Sequence, residues 1–467
     1  MLAGAGVAGL LSRPGSGETL PEPSGRSRAL SLRAAERPAR LLGPQGPESR
    51  LWSFGDELYP VIRIGRGDRV LATLDNALPE HTTIHWHGIR LANAMDGVPY
   101  MTQPPVEPGQ RFLYDFTAPD AGTFFFHPHC NESGQVGHGL MGLLIVEGDE
   151  PEPRDGEVIL AVKDWRLNPD GTFLPFVTEK GAPKAGTFGT VRTVNGMPKA
   201  TQAVPASADI RIRILNLDAT RVLEVGVEGG PAAIVAVDGN AIAPVPLDTW
   251  RMGPAMRLDL VARTPKDGAK LKVIDYNVAE PYVVAELEAR GADRRSRDFS
   301  PPPLVASDIP EPDLVAAEAQ SYIFGAAGDP AGSLPVEPSG DQSLDEALRR
   351  SMCFGTRTFW SINRRSWPSN GHATPPAPLA ALRAGASYRF TLQNATPHPH
   401  PIHLHGHTFK VLSSSRRQIA PYWADTVLLG AKERVDIAFV AREGDWMFHC
   451  HILEHLETGM MGYFRIA

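Results

Sequence analysis

GASYRFTLQN (385–394), GDRVLATLDN (67–76) and SADIRIRILN (207–216) share one pattern. Each alternates apolar and polar residues with period two and ends in Asn, which reads as a half-buried strand running into a turn. His403 and His405 stand nine and eleven residues after Asn394, and His85 and His87 stand at the same offsets from Asn76. After Asn216 those offsets hold Val225 and Val227. A second landmark follows in each unit: Gly444 precedes His449 and His451 by five and seven residues, Gly122 precedes His127 and His129 by the same steps, and Gly268 is followed there by Val273 and Asp275. The chain therefore reads as three related β-domains, of which the first and third carry paired histidines and the middle one has lost them.

Length and composition agree with this reading. A chain of 467 residues suggests about three domains, and 45 Gly with 43 Pro favour many short strands over helices. The domains are expected near 45–150, 151–305 and 340–467. Residues 306–339 are Pro- and acid-rich and read as a linker, followed by a short helix that Ser343 and Glu346 would cap through Arg350. Residues 12–50 are rich in Pro, Gly, Ser and Arg, so 1–44 are expected to be a poorly ordered lead-in. Within it, Met1–Leu11 resembles the apolar part of an export signal without its preceding positive residues. The net charge is −7 with no basic stripe, which argues against nucleic acid as a partner. No apolar run is long enough for a transmembrane helix. Three cysteines exclude a disulfide scaffold, and the sequence leaves open whether Cys130 and Cys353 pair or stay free.

Ten of the 15 histidines fall in four clusters: HWH (85–87), HPH (127–129), HPIHLH (400–405) and HCHILEH (449–455). A lone histidine is usually a surface or satisfied core residue, but four H-x-H pairs at repeat-equivalent positions are not explained that way. Residues i and i+2 of a strand share a face, so each pair offers two imidazoles side by side. Eight such imidazoles facing each other across two domains suit a metal cluster rather than one ion, and imidazole favours Cu, Zn, Fe or Ni. Cys450 lies between His449 and His451 and must point to the opposite face. With His400, His455 and Met460 it offers two His, one Cys and a weak thioether, the ligand set of a blue-copper site. Zinc needs no axial thioether.

The motifs HWHG (85–88), HPH (127–129), HPIHLHGH (400–407) and HCHILEHLETGMM (449–461) together resemble those of the multicopper oxidases, the family of laccases and bacterial copper oxidases. The resemblance covers about residues 50–467 and implies an all-β chain of three cupredoxin-like Greek-key β-barrel or sandwich domains holding four copper ions. His85 and His403 resemble the type 2 ligands. His87, His127, His129, His405, His449 and His451 resemble those of the type 3 pair. His400, Cys450 and His455 resemble the type 1 equatorial ligands, with Met460 axial. His81, His138, His372, His398 and His407 are read as non-ligands, and Met461 as packing.

The implied activity is one-electron oxidation of a small reducing substrate at the type 1 site, coupled through Cys450 and its neighbours His449 and His451 to four-electron reduction of O₂ to water. Asp96, in MDGVP, resembles the family's acid beside the cluster. Many bacterial members carry Glu where this chain has Leu456, and Glu454 or Glu457 are weaker candidates for that acid. Asp425, in PYWADTV, lies where some relatives place a residue near the type 1 substrate site, or else fixes a loop. An axial Met implies a low to middle type 1 potential. With 11 Met and no Met-rich run, phenols and arylamines are the first expectation and Cu(I) the second. A copper nitrite reductase would have two domains and no full type 3 set, and a non-enzymatic copper-binding scaffold would have lost ligands. A periplasmic or secreted monomer is expected, since one chain supplies every ligand.

Overall fold

In the computed structural model, residues 25–326, 358–368 and 375–467 are described, and nearly all of their regular structure is β. The expected helix at Ser343–Arg350, the segment Met1–Leu11, Cys353 and His372 lie outside the described residues. The strands form six sheets, packed as three two-sheet, cupredoxin-like units.

The three repeat segments are the strands Arg69–Asn76, Asp209–Asn216 and Ser387–Asn394. Each sits inside its sheet between one parallel and one antiparallel neighbour. Their terminal asparagines share a task. Asn76, Asn216 and Asn394 each accept the backbone N–H of the residue two positions on, at 2.9, 3.2 and 2.8 Å. Each Nδ2 donates to the carbonyl four or five residues on, at Glu80, Arg221 or His398. It also donates across to a second segment, at Val106, Met252 or Gly430. One buried side chain thus fixes the turn that launches the second sheet of each unit.

Two expectations are corrected. The lead-in up to residue 44 contains the strand Ser27–Ala39, which pairs in parallel with Arg69–Asn76 and buries Leu32 and Ala34 in the first core. The expected linker contains the strand Glu318–Ala326, which pairs in parallel with Ser387–Asn394 and buries Tyr322 and Phe324. Both are equivalent to Gly156–Trp165 in the middle unit. Only alternate residues of Ser27–Ala39 and Glu318–Ala326 face inward, so their composition stays polar.

Register refines the repeat. His85 pairs with His127 and His403 with His449, whereas in the middle unit Val225 pairs with Asp275, two residues later than a count from Gly268 implies. Gly122 and Gly444 open their strands where a Cβ would strike Gly239 and Asn93, while Gly268 lies in the preceding turn with open space around it. Gly268 is therefore a turn glycine and not the counterpart of the other two.

Candidate metal centre

The short strand His85–His87 and the end of Gly122–His127 approach His400–Leu404 and Gly444–Cys450 across the junction of the first and third units. Eight imidazoles meet there: His85, His87, His127, His129, His403, His405, His449 and His451, all buried. The junction has an approximate two-fold. His85 stacks on His405 and His87 on His403, both with ring centroids 3.8 Å apart.

Hydrogen bonds on one ring nitrogen fix which other nitrogen faces inward. The Nδ1–H groups of His85, His127, His403 and His449 donate to the carbonyls of Asp96, Pro128, Asp425 and Cys450, at 2.9, 3.0, 2.8 and 3.0 Å. His405 Nδ1 donates to Asp96 Oδ2 at 2.7 Å. His87 is reversed: its Nε2 donates to Asp425 Oδ1 at 3.1 Å, leaving Nδ1 inward. The inward nitrogens of His85, His87, His127 and His403, and both ring nitrogens of His129 and His451, have no hydrogen-bond partner despite full burial. His405 Nε2 and His449 Nε2 face each other at 3.0 Å. Burial, reinforced by neighbouring imidazoles or Arg257, holds His87, His129, His403 and His405 well below the usual histidine range. Uncharged imidazoles with converging lone pairs are a poor arrangement for an empty core and a fitting one for metal ions.

Asp96 and Asp425 are mates under the same approximate two-fold. Each accepts from its own unit's imidazole through its carbonyl and from the other unit's through its carboxylate. Asp96 also occupies a turn: Gly97, at φ +80°, lies where any Cβ would strike the Ile84 carbonyl. The placement of Asp425 beside the type 1 substrate site is thereby corrected. It is buried against His87 and ion-paired with Arg257 at 2.5 Å. Its spacing hid it, because Asp96 follows His85 by 11 residues and Asp425 follows His403 by 22. The strands Phe409–Ser414 and Tyr422–Ala424, with the turn between them, lie in the longer interval. Glu132 also went unremarked in the sequence. Its buried carboxyl lies 3.4 Å from His127 Nδ1 and 3.8 Å from His129 Nε2.

On the opposite face of the strand Gly444–Cys450, Cys450 Sγ lies 3.6 Å from both His400 Nδ1 and His455 Nδ1, which are 3.0 Å apart. The other nitrogens donate outward, His400 Nε2 to Thr396 Oγ1 at 2.8 Å and His455 Nε2 to the Lys184 carbonyl at 2.7 Å. Both Nδ1 lone pairs therefore point at one place beside the sulfur. Burial raises the Cys450 thiol pKa and lowers that of His455 to about 3. A soft cation that draws the proton off the thiol suits this trio. Met460 is buried, and its backbone bonds to Cys450 and His455. His81, His138, His398 and His407 stand apart from both groups; His407 instead holds the His405 carbonyl through Nδ1 at 2.8 Å.

Comparison with known proteins agrees with this geometry. Family models described as multicopper oxidase match residues 42–151 and 350–467. A multicopper oxidase of Pseudomonas thermotolerans of known structure is 37% identical, with a TM-score of 0.84 over 95% of this chain and 100% of that one. The multicopper oxidase MmcO of Mycobacterium tuberculosis is 27% identical over 97% of this chain and 90% of its own. Laccase-2 of Fomitopsis schrenkii is 28% identical over 90% and 86%. Kinship along the full length, joined to two buried ligand sets that meet at the strand Gly444–Cys450, places this chain in the multicopper oxidase family, copper enzymes that couple oxidation of a reducing substrate to reduction of O₂.

Proposed function

We propose that this chain is a laccase-type oxidase of phenols or arylamines, in which His400, Cys450, His455 and Met460 would hold the copper ion that supplies one-electron oxidation of the substrate. In this reading O₂ receives the electrons at the eight-histidine centre. The observation that carries the reading is the convergence of partnerless ring nitrogens at the junction of the first and third units. Copper, as one type 1, one type 2 and two type 3 ions, supplies one-electron redox capacity and the site of O₂ reduction when bound.

The chain's own residues do the rest. His85 and His403 would hold the type 2 ion, and His87, His127, His129, His405, His449 and His451 the type 3 pair. Asp96 and Asp425 hold the imidazoles in the tautomers that leave the inward nitrogens free. Cys450 faces one centre while its covalent neighbours His449 and His451 face the other, which gives a short through-bond path. Burial keeps bulk water from the place where O₂ is reduced. The absence of a Met-rich run in the sequence favours organic donors over Cu(I). Both centres are drawn from one chain, which suits a monomer, and a periplasmic or secreted location goes with this reading. Among the described residues no helix is long and apolar enough to cross a membrane.

The test is the absorption spectrum of the copper-loaded protein before and after a reductant and then air. An intense blue thiolate band that bleaches and returns with O₂ is expected. A fully copper-loaded protein without that band would overturn the role of Cys450 and favour a copper-binding scaffold.

A further inference from the structure

One segment of the middle unit reaches the type 1 histidines. Residues Thr178–Thr187 fold as a tight loop, in which Lys184 N and Gly186 N both donate to the Gly181 carbonyl, at 2.8 and 3.1 Å. The loop lies across His455. The Lys184 carbonyl accepts His455 Nε2–H at 2.7 Å. Trp360 covers the same imidazole with ring centroids 4.5 Å apart and donates its Nε1–H to the Ala182 carbonyl at 2.6 Å. Gly186 lets the loop lie flat: a Cβ there would stand 2.6 Å from Thr220 Cγ2 and 3.2 Å from Ile452 Cγ2.

Both ends of the loop converge on Glu454, a buried carboxylate one residue before His455. Its Oε1 accepts Thr178 N at 2.8 Å and Thr187 Oγ1 at 3.0 Å. Its Oε2 accepts Thr187 N and, at 2.9 Å, Arg166 Nη2. Arg166 in turn donates to the carbonyls of Phe176 and Thr187. The helical turn Leu453–Glu457 therefore carries a type 1 histidine and the clamp on what covers it.

We propose that Glu454 is a positioning residue that straps Thr178–Thr187 over His455, so that reducing substrates dock on the outer face of the strap, beside the exposed Lys180 and Lys184, and give up their electron across the Lys184 carbonyl instead of touching the imidazole. The strap is thereby a specificity filter against bulky donors that need direct contact. This rests on the type 1 reading of His400, Cys450 and His455.

The experiment uses the full copper-loaded chain and three variants: Glu454→Gln, Thr187→Val and Thr187→Ser. Gln turns a donor group toward backbone N–H groups that now find a carboxylate. Val removes one hydroxyl at nearly constant shape, which keeps the test decisive if Glu454→Gln folds poorly. Ser restores the hydroxyl. Trypsin cuts after Lys180 and Lys184 in proportion to how often the strap opens. Glu454→Gln and Thr187→Val should be cut there about tenfold faster than the parent, and Thr187→Ser at the parent rate. KM for 2,6-dimethoxyphenol, relative to KM for ferrocyanide, should fall in the two loosened variants and return in Thr187→Ser. Unchanged cleavage and an unchanged KM ratio in a protein that shows the blue band would overturn the clamp alone. Absence of the band in the parent would overturn the type 1 reading and the filter with it.

Discussion

Replacing Asp96 by Asn keeps the shape of the residue but removes the charge that accepts His405 Nδ1–H at 2.7 Å. Losing such an outer partner weakens a metal site by about 10- to 100-fold, so Asp96→Asn should release copper to a competing chelator more readily by that factor. Asp425→Asn should act similarly through His87 Nε2, because the two carboxylates are related by the approximate two-fold. Copper content after chelator dialysis decides the matter, and parent-like retention in both variants would remove the orienting role from these acids. The residues brought together at the two centres were legible in the sequence because H-x-H on a strand is a geometric statement, and four copies at equivalent offsets reinforce one another. Asp425 and Glu454 were not legible in their structural roles. A single acid has no periodicity, and what each one does depends on a partner from another unit: Arg257 and His87 for Asp425, Arg166 and Thr178 for Glu454.

At the level of the strand and its turn, the three asparagines offer a controlled comparison. Truncating Asn216 or Asn394 to Ala leaves buried carbonyls without their donor, a loss of about 1–3 kcal/mol for each buried group left unsatisfied. Both variants should unfold at lower temperature than the parent. Their effects on copper should differ. Asn394 Nδ2 holds the His398 carbonyl and its Oδ1 anchors Thr396, whose hydroxyl receives His400 Nε2–H. Asn216 anchors only turns of the middle unit, at Arg221 and Met252. Asn394→Ala should therefore weaken or shift the blue band, and Asn216→Ala should leave it in place; equal spectral effects would refute a local role for the turn. The same strands show where sequence reading succeeds at this scale. The Asn-ending segments stand out because one face is apolar and the pattern recurs. Ser27–Ala39 and Glu318–Ala326 belong to the same repeat but read as a lead-in and a linker. Their alternation is carried by a few buried residues among Ser, Arg, Glu and Gln, and their parallel pairing is with strands far along the chain.

Across the whole molecule, the histidine-rich junction makes stability depend on pH in a direction that copper should mask. Burial, the largest cause in each case, lowers the pKa of His455 and His407 to about 3 and of His449 to about 4. It also holds His87, His127, His129, His400, His403, His405 and His451 well below their ordinary value. In the unfolded chain each would titrate near about 6.5. Between that value and the folded pKa the unfolded state binds more protons than the native state, so stability falls as pH falls through this window. Asp238 and Glu457, raised by burial to about 7, act in the opposite direction but are outnumbered. The carboxylates held low by arginines, such as Asp115 with Arg69 and Asp68 with Arg28, lose their contribution only at more acidic pH. A comparison between pH 7.5 and pH 5 therefore leaves out the low carboxylates and sets the many lowered imidazoles against the few raised carboxyls, Asp238, Glu457, Glu132 and Asp164. Copper-free protein should show a marked drop in its denaturation midpoint over that range. Copper-loaded protein should drop less, because ions seated on the ring nitrogens bind the native state and compete with protons there. If the copper-free midpoint stays flat or rises toward pH 5, the junction is not the set of neutral, partnerless imidazoles described above.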